Sequence, residues 1–300
     1  MELVNPQIEL GGGTFTVSRT VTDWIKQGSF SKIQPLLRSH PGVPSSAGYS
    51  FFPNASTQNF SFGILLSGNG SNYYSISKDA FYYSSRKLLI PSLGISVGTI
   101  GGLFRIGLAA RGVQIQETNI VSRASATSSV EESNETSNGF GVGLDGGILM
   151  SLPWSALPTF GFVARNIGGV SFPSGPAIPI GGVINKRHGI IKMVYDAGFS
   201  LSPKFAQQDR MVFALDYRDV LDVYKVDIKR RINLGIEFGA GKMLFFRAGF
   251  GRGYPSGGIG LNFSKGSFDL GTYGEELDAK GFHGVLDRRY SIRITRLFRS

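Results

Sequence analysis

The feature that most restricts what this chain can fold into is an alternation with a period of two residues. In RINLGIEFGA, Ile232, Leu234, Ile236, Phe238 and Ala240 share one parity, and Asn233, Gly235, Glu237 and Gly239 the other. KMLFFRAGFG sets Leu244, Phe246, Ala248 and Phe250 against Arg247, Gly249 and Gly251, and LFRIGLAAR sets Phe104, Ile106 and Leu108 against Arg105, Gly107 and Arg111. DRMVFALDYR and IIKMVYDAGFS repeat the pattern. Such alternation marks extended strands with two unlike faces. A soluble sandwich also alternates, but its polar face looks at bulk water and has little use for glycine. Here charges and glycines occupy the same face, and glycine makes up 42 of 300 residues. A face both charged and small suits the inside of a narrow barrel whose apolar face meets lipid. The expected fold is all-β: an antiparallel transmembrane β-barrel.

The same alternation disposes of a phosphate-loop reading. GVGLDG (141–146) spells G-x-G-x-x-G, but ILMSLP follows and leaves no room for the helix that a dinucleotide loop requires. Phe140, Val142, Leu144, Ile148 and Met150 instead share one side of a strand.

Connections provide a second line of argument. Short turns are expected at 264–266, 239–242, Pro203–Gln208, Pro153–Leu157, Thr99–Gly101 and Gly68–Ser71. Longer ones are expected at Glu275–Leu286, Leu221–Ile228, Gly169–Arg187 and Asn119–Asn138, with Arg252–Ser256 and Pro53–Thr57 as their shorter members. Alternating short and long connections characterise outer-membrane barrels, and the count gives about 14 strands between Ala47 and Phe298. Residues 45–300 then form the barrel. Residues 1–44 form a hatch or a periplasmic segment, with Trp24 and Phe30 as its candidate ligand contacts; the alternative is that GGTFTVSRT joins the wall.

Composition narrows the chemistry. The absence of cysteine excludes disulfides and thiolate sites, and His40, His188 and His283 lie far apart, so neither a metal nor another cofactor is expected. No elbow motif accompanies the histidines, and no enzyme is expected. The net charge of +10 is scattered rather than gathered on one helix, which argues against nucleic acid. No uncharged apolar run approaches a membrane helix, and MELVNPQIEL is not a signal peptide, so an exported protein would carry its signal ahead of this numbering.

Two charge sets follow from the topology. Arg86, Lys87, Lys186, Arg187, Lys229, Arg230, Arg231, Arg288 and Arg289 are assigned to the long-connection end, where outer-leaflet lipid and lipopolysaccharide phosphates would meet them. Arg105, Arg111, Arg165, Lys192, Arg218 and Arg247 face the lumen with Asp145, Asp196, Asp216 and Glu237. Such near balance suits paired charges bracing a narrow interior better than an ion-selective pore. Glu237 and Arg247, across one hairpin, are the expected pair.

GVGLDGGILMSLP with FGFVARNIGG, then MVFALDYRDV, then LGIEFGAGKMLFFRAGFGRGYPSGGIGLNF with RRYSIRITRLF resemble the outer-membrane fatty-acid transporter superfamily (FadL-like), in particular its PorV-like and TraF-like branch, over about residues 139–300. The resemblance implies a bacterial outer-membrane location and one of two roles. The first is passive passage of small hydrophobic molecules, through a hatch and a side opening in the wall. The second is a barrel that anchors protein partners of a secretion or conjugation system. Arg296 and the Arg299-Ser300 ending depart from the usual terminal assembly signal of such barrels.

Overall fold

The computed structural model describes residues 7–9, 12–18, 37–76, 78–99, 102–123, 136–173, 186–203, 209–277 and 284–299. The strands are β1 (Gln7–Glu9), β2 (Gly13–Ser18), β3 (Ser45–Phe51), β4 (Asn54–Ser56), β5 (Phe60–Ser75) and β6 (Ala80–Gly98). They continue as β7 (Phe104–Arg123), β8 (Thr136–Ser151), β9 (Thr159–Arg165), β10 (Lys186–Arg187), β11 (Val194–Leu201) and β12 (Arg210–Tyr217). A single turn of helix, α1 (Ile228–Arg231), leads into β13 (Ile232–Ala240), β14 (Leu244–Gly251), β15 (Tyr254–Phe263), β16 (Gly266–Glu276) and β17 (Leu286–Arg299).

These segments close into an antiparallel barrel of 14 staves. β1 and β2 belong to one stave and β3 and β4 to the next, while β10 is a short parallel addition beside β8. Closure is made by β2, which pairs with β17 (Ile292↔Phe15) and with β3 (Phe15↔Tyr49). A closed ladder leaves no free edge, which is what an apolar solvent demands of a sheet.

Register carries the alternation around the ring. Ile95 faces Leu108, and Ile236 faces Ala248 and Phe213, all on the outside. Glu237, Arg247 and Gly258 form one lumenal row. Ile95, Ile106, Leu108, Leu144, Ile148, Leu234 and Ile294 each expose half or more of their surface. Water would not tolerate so continuous an apolar band, whereas acyl chains favour it.

The wall is uneven. β5 to β8 run 16, 19, 20 and 16 residues, but β9, β11 and β12 only 7, 8 and 8. About 9–11 tilted residues cross a bilayer core, so the long staves rise beyond it at the end opposite the chain termini.

Several expectations are corrected. Gly68–Ser71 is not a turn: it lies inside β5, paired with β3 and β6 (Gly68↔Tyr49, Gly68↔Lys87). The chain turns at Thr57–Asn59, where Thr57 bonds Phe60 in both directions, and this places the Pro53–Thr57 region at the short-turn end. The first stave is Gly13–Ser18, within the segment assigned to a hatch, so the count holds because one strand is gained and one lost. β1, also within that segment, joins the same stave, residues 37–44 lead into β3, and Trp24 and Phe30 lie outside the described residues. The 119–138 connection is shorter than expected, since β7 reaches Arg123 and β8 begins at Thr136. The turn between β14 and β15 is only Arg252-Gly253, with φ of 54° and 89°, a left-handed pair that glycine readily supplies.

Candidate functional site in the lumen

The lumen is lined by ion pairs arranged by cross-strand register. Glu237 and Arg247 face each other and approach to 2.7 Å. Arg247 also binds Asp269, and Arg210 reaches Glu237 at 3.2 Å, so four charges on β12, β13, β14 and β16 run across five staves. Arg111 meets Asp145 at 2.9 Å, and Arg165 meets Asp196 at 2.7 Å. Asp216 faces the lumen opposite Gly198 but has no ion-pair partner among the described residues. Lys192 precedes β11 and Arg218 follows β12; both are exposed, and the contacts they make are through backbone atoms.

The connection from β9 to β11, expected as an external loop, instead turns inward over its first residues. Asn166 takes a left-handed φ of 55°, a conformation asparagine tolerates, and anchors the turn. Its side chain accepts from Arg111 at 2.6 Å, and its amide donates to Asp145 at 2.8 Å. Val170, Ser171 and Phe172 then lie against the lumenal face of β8. A β-carbon on Gly139 would come within 2.6 Å of the Phe172 β-carbon, and one on Gly143 within 3.0 Å of Val170. One on Gly141 would strike the Ser171 carbonyl. The G-x-G spacing is thus a bed for backbone, not a phosphate cradle. Val170 is fully buried, and with Phe172 it packs on Val113 and Ile115, beside Leu88, Ile90 and Ile191. Ile191, expected on the outer face of a strand, is turned inward by its bridge to Val170.

A second polar cluster holds the returning segment. Glu117 accepts from Arg86 at 3.2 Å and from Asn119 at 3.0 Å, and meets His188 Nε2 at 3.1 Å. His188 Nδ1 lies 2.8 Å from the Gly189 carbonyl, and its ring stands edge-on to Phe172. Both ring nitrogens face acceptors, so the imidazolium satisfies them best. The Glu117 hydrogen bond raises the His188 pKa above its ordinary 6.5.

This geometry rearranges the basic residues assigned to lipopolysaccharide. Arg86 points into the lumen, because β6 register sets it opposite Glu117. Arg289 is buried in the lumen between Glu275 and Asp287, both at 2.6 Å. Arg231 is tucked against Asp222 at 3.6 Å, donates to the Asp219 carbonyl and lies over the Tyr217 ring. Carboxylates of the barrel itself hold all three. Lys87 and Arg187 are exposed, Lys229 and Arg230 sit on α1 at the long-connection end, and Arg288 donates to the Pro255 carbonyl; Lys186 is placed by its backbone in β10. The sequence reading missed Glu117, Asn166, His188, Asp269, Glu275 and Asp287. Parity was the available signal for Glu117 and Asp269, which share the lumenal face of Arg111 and Arg247.

Among the described residues, the ladder on the β9 side of β8 is interrupted. Pairing of β8 with β9 stops at Gly146↔Ala164. Beyond it, among the described residues, β8 is met on that side by the Ile167 amide at Leu144, and by β10 and the His188 amide at Ser137–Asn138. The apolar cluster of Val170 and Phe172 lies directly behind this gap. Elsewhere the lumen holds a cavity of about 470 Å³ against β5 to β9 and one of about 670 Å³ against β12 to β17 and β2.

No protein-family model matches the chain, and no curated protein matches it in sequence. Solved structures do match. The chain superposes on the CymD monoaromatic hydrocarbon channel with a TM-score of 0.54 at 10% identity, covering 99% of this chain and 89% of that one. It superposes on the Pseudomonas putida toluene transporter TodX with a TM-score of 0.51 at 10% identity, covering 98% and 88%. The fold is shared with these channels. At such identity the likeness concerns architecture, and the lumenal residues must be read on their own chemistry.

Proposed function

We propose that this protein is a bacterial outer-membrane channel for the passive passage of small hydrophobic molecules. The observation that carries the proposal is the apolar cluster of Leu88, Ile90, Val113, Ile115, Val170 and Phe172 inside the lumen, immediately behind the stretch of β8 where, among the described residues, its ladder with β9 has ended. With the inward segment moved aside, an apolar solute gains by leaving water for the surface it uncovers, and the end of the β8 ladder offers a sideways exit into lipid. The inward segment is held by a few polar contacts and by the packing of Val170 and Phe172, without a continuous ladder, so its displacement costs less than opening the barrel wall. The architecture shared with hydrocarbon channels supports the same reading. The exposed cations Lys87, Arg187 and Lys229, with the half-buried Arg230, are the remaining candidates for lipopolysaccharide phosphates.

The test is uptake of a labelled monoaromatic hydrocarbon by cells lacking their own hydrocarbon channels, since lipopolysaccharide is the barrier a channel must bypass. The wild-type chain should raise uptake, and a disulfide pinning the returning segment to the wall (Asn138→Cys with Arg187→Cys, register partners) should abolish it until reduced. A heat-modifiable, correctly inserted barrel that leaves uptake unchanged overturns the proposal. Co-purification of a stable protein partner in that case would favour the PorV-like or TraF-like role, a barrel anchoring a secretion or conjugation assembly.

A further inference from the structure

We infer that the cavity at the short-turn end of the lumen is a binding site for a small planar apolar carboxylate, with Arg105 as its anion anchor. Two lumenal rows of four residues each define the floor. Gly98, Arg105, Leu149 and Gly161 follow one another across β6, β7, β8 and β9, and the adjacent row is Ser96, Gly107, Gly147 and Val163. Leu149 and Val163 are among the few large apolar side chains aimed inward, and both remain substantially exposed to the cavity, at 41% and 38%. Between them lie glycines. A β-carbon at Gly107 or Gly161 would meet its nearest neighbour at 3.6 Å, an ordinary contact, so packing does not force these positions to be bare. Their bareness leaves a flat apolar floor under about 470 Å³ of free space, within the size range of small-molecule sites.

Arg105 closes one end of this floor. It is a guanidinium with no ion-pair partner among the described residues, in a lumen where most arginines are paired. Asp145 also borders the cavity, but Arg111 and the Asn166 amide already occupy it. Ser61 and Ser96 line the same space and supply hydroxyl donors. An unpaired planar fork beside a flat apolar patch selects a carboxylate attached to a flat apolar body. A neutral hydrocarbon would use the floor and leave the fork idle. The inference deepens the channel reading by adding a charged class of solute, and its test measures binding without transport.

Calorimetry on the purified barrel in detergent should detect benzoate binding to the wild type. Arg105→Gln should weaken it by about tenfold or more, the scale of one charge-assisted hydrogen-bonded contact, and Arg105→Lys should recover part of the loss. Benzamide, equally flat but neutral, should be insensitive to Arg105→Gln. Gly107→Leu should reduce both ligands by filling the floor. Arg293→Gln, which alters an arginine in the other cavity, should change neither. Absence of benzoate binding in the wild type overturns the inference, as does equal binding by Arg105→Gln. Neither outcome bears on hydrocarbon uptake through the gap beside β8, so the two readings fail separately.

Discussion

The α-carbon of Gly141 lies so close under Ser171 that a β-carbon there would collide with the Ser171 carbonyl oxygen. This contact, between a wall stave and a connection that enters the barrel, makes the inward segment possible. Gly141→Val is expected to expel residues 170–172 from the lumen. Burying a side chain such as Val170 or Phe172 stabilises by about 1.5–3 kcal/mol, so the segment should lose most of its protection while the ladder survives. Limited proteolysis with chymotrypsin checks this: cleavage at Phe172 should appear in Gly141→Val but not in the outward-facing Val142→Ala. Equal protection in both would show that the glycine bed is dispensable.

His188 should make that protection depend on pH. Its pKa in the folded protein is raised above 6.5 by the Glu117 carboxylate. The stabilisation is therefore complete below about 6.5, the unfolded value, and is lost as pH rises through the raised value. Proteolysis of the segment should accelerate across that interval, and His188→Gln should flatten the response. An NMR titration of His188 should show its pKa falling in Glu117→Gln; an unchanged value would remove the pair from the argument.

Arg247 serves two carboxylates, Glu237 and Asp269, and the register also places Arg293 opposite Asp269. Arg247→Met alone should cost only about 1 kcal/mol, because the group is partly exposed and Arg293 can turn to Asp269. Adding Arg293→Met should cost more than the sum of the single changes, since Asp269 then has no cation. Urea unfolding of the four members of this cycle measures the coupling. Additive behaviour would mean that the arginines do not share the carboxylate.

The lipid-facing assignment has its own test. Leu108→Arg places a charge on the outward band and should destabilise the inserted barrel by about 2–4 kcal/mol. Ser96→Arg, on the lumenal face of the neighbouring stave, should cost far less. Reversible unfolding in vesicles compares the two, and similar costs would contradict the direction of the faces.

Much of this architecture was legible because strand faces are local. Parity alone placed Glu237 beside Arg247 and sent Ile236 outward, and both placements depend only on neighbouring residues and one tight hairpin. Turn chemistry was less dependable. GNGS carries strong turn signals, yet its pairing with both β3 and β6 holds it extended, and the Tyr49 ring covers Gly68, whose β-carbon would come within 2.7 Å of it. The segment assigned to a hatch contributed β2 because closure needed a stave between β17 and β3, a demand that no local signal expresses.

By itself the sequence determined that this chain forms strands, that leucines and phenylalanines face away from arginines and glycines, and that such a sheet must close. Only the tertiary structure decided that residues 170–172 enter the lumen, that His188 meets Glu117 from 71 residues away, and that Arg111 meets a carboxylate while Arg105 meets none among the described residues. The reason is physical. A strand's two faces follow from the geometry of its own backbone, whereas the fate of a loop or a lumenal charge depends on what the opposite wall leaves empty.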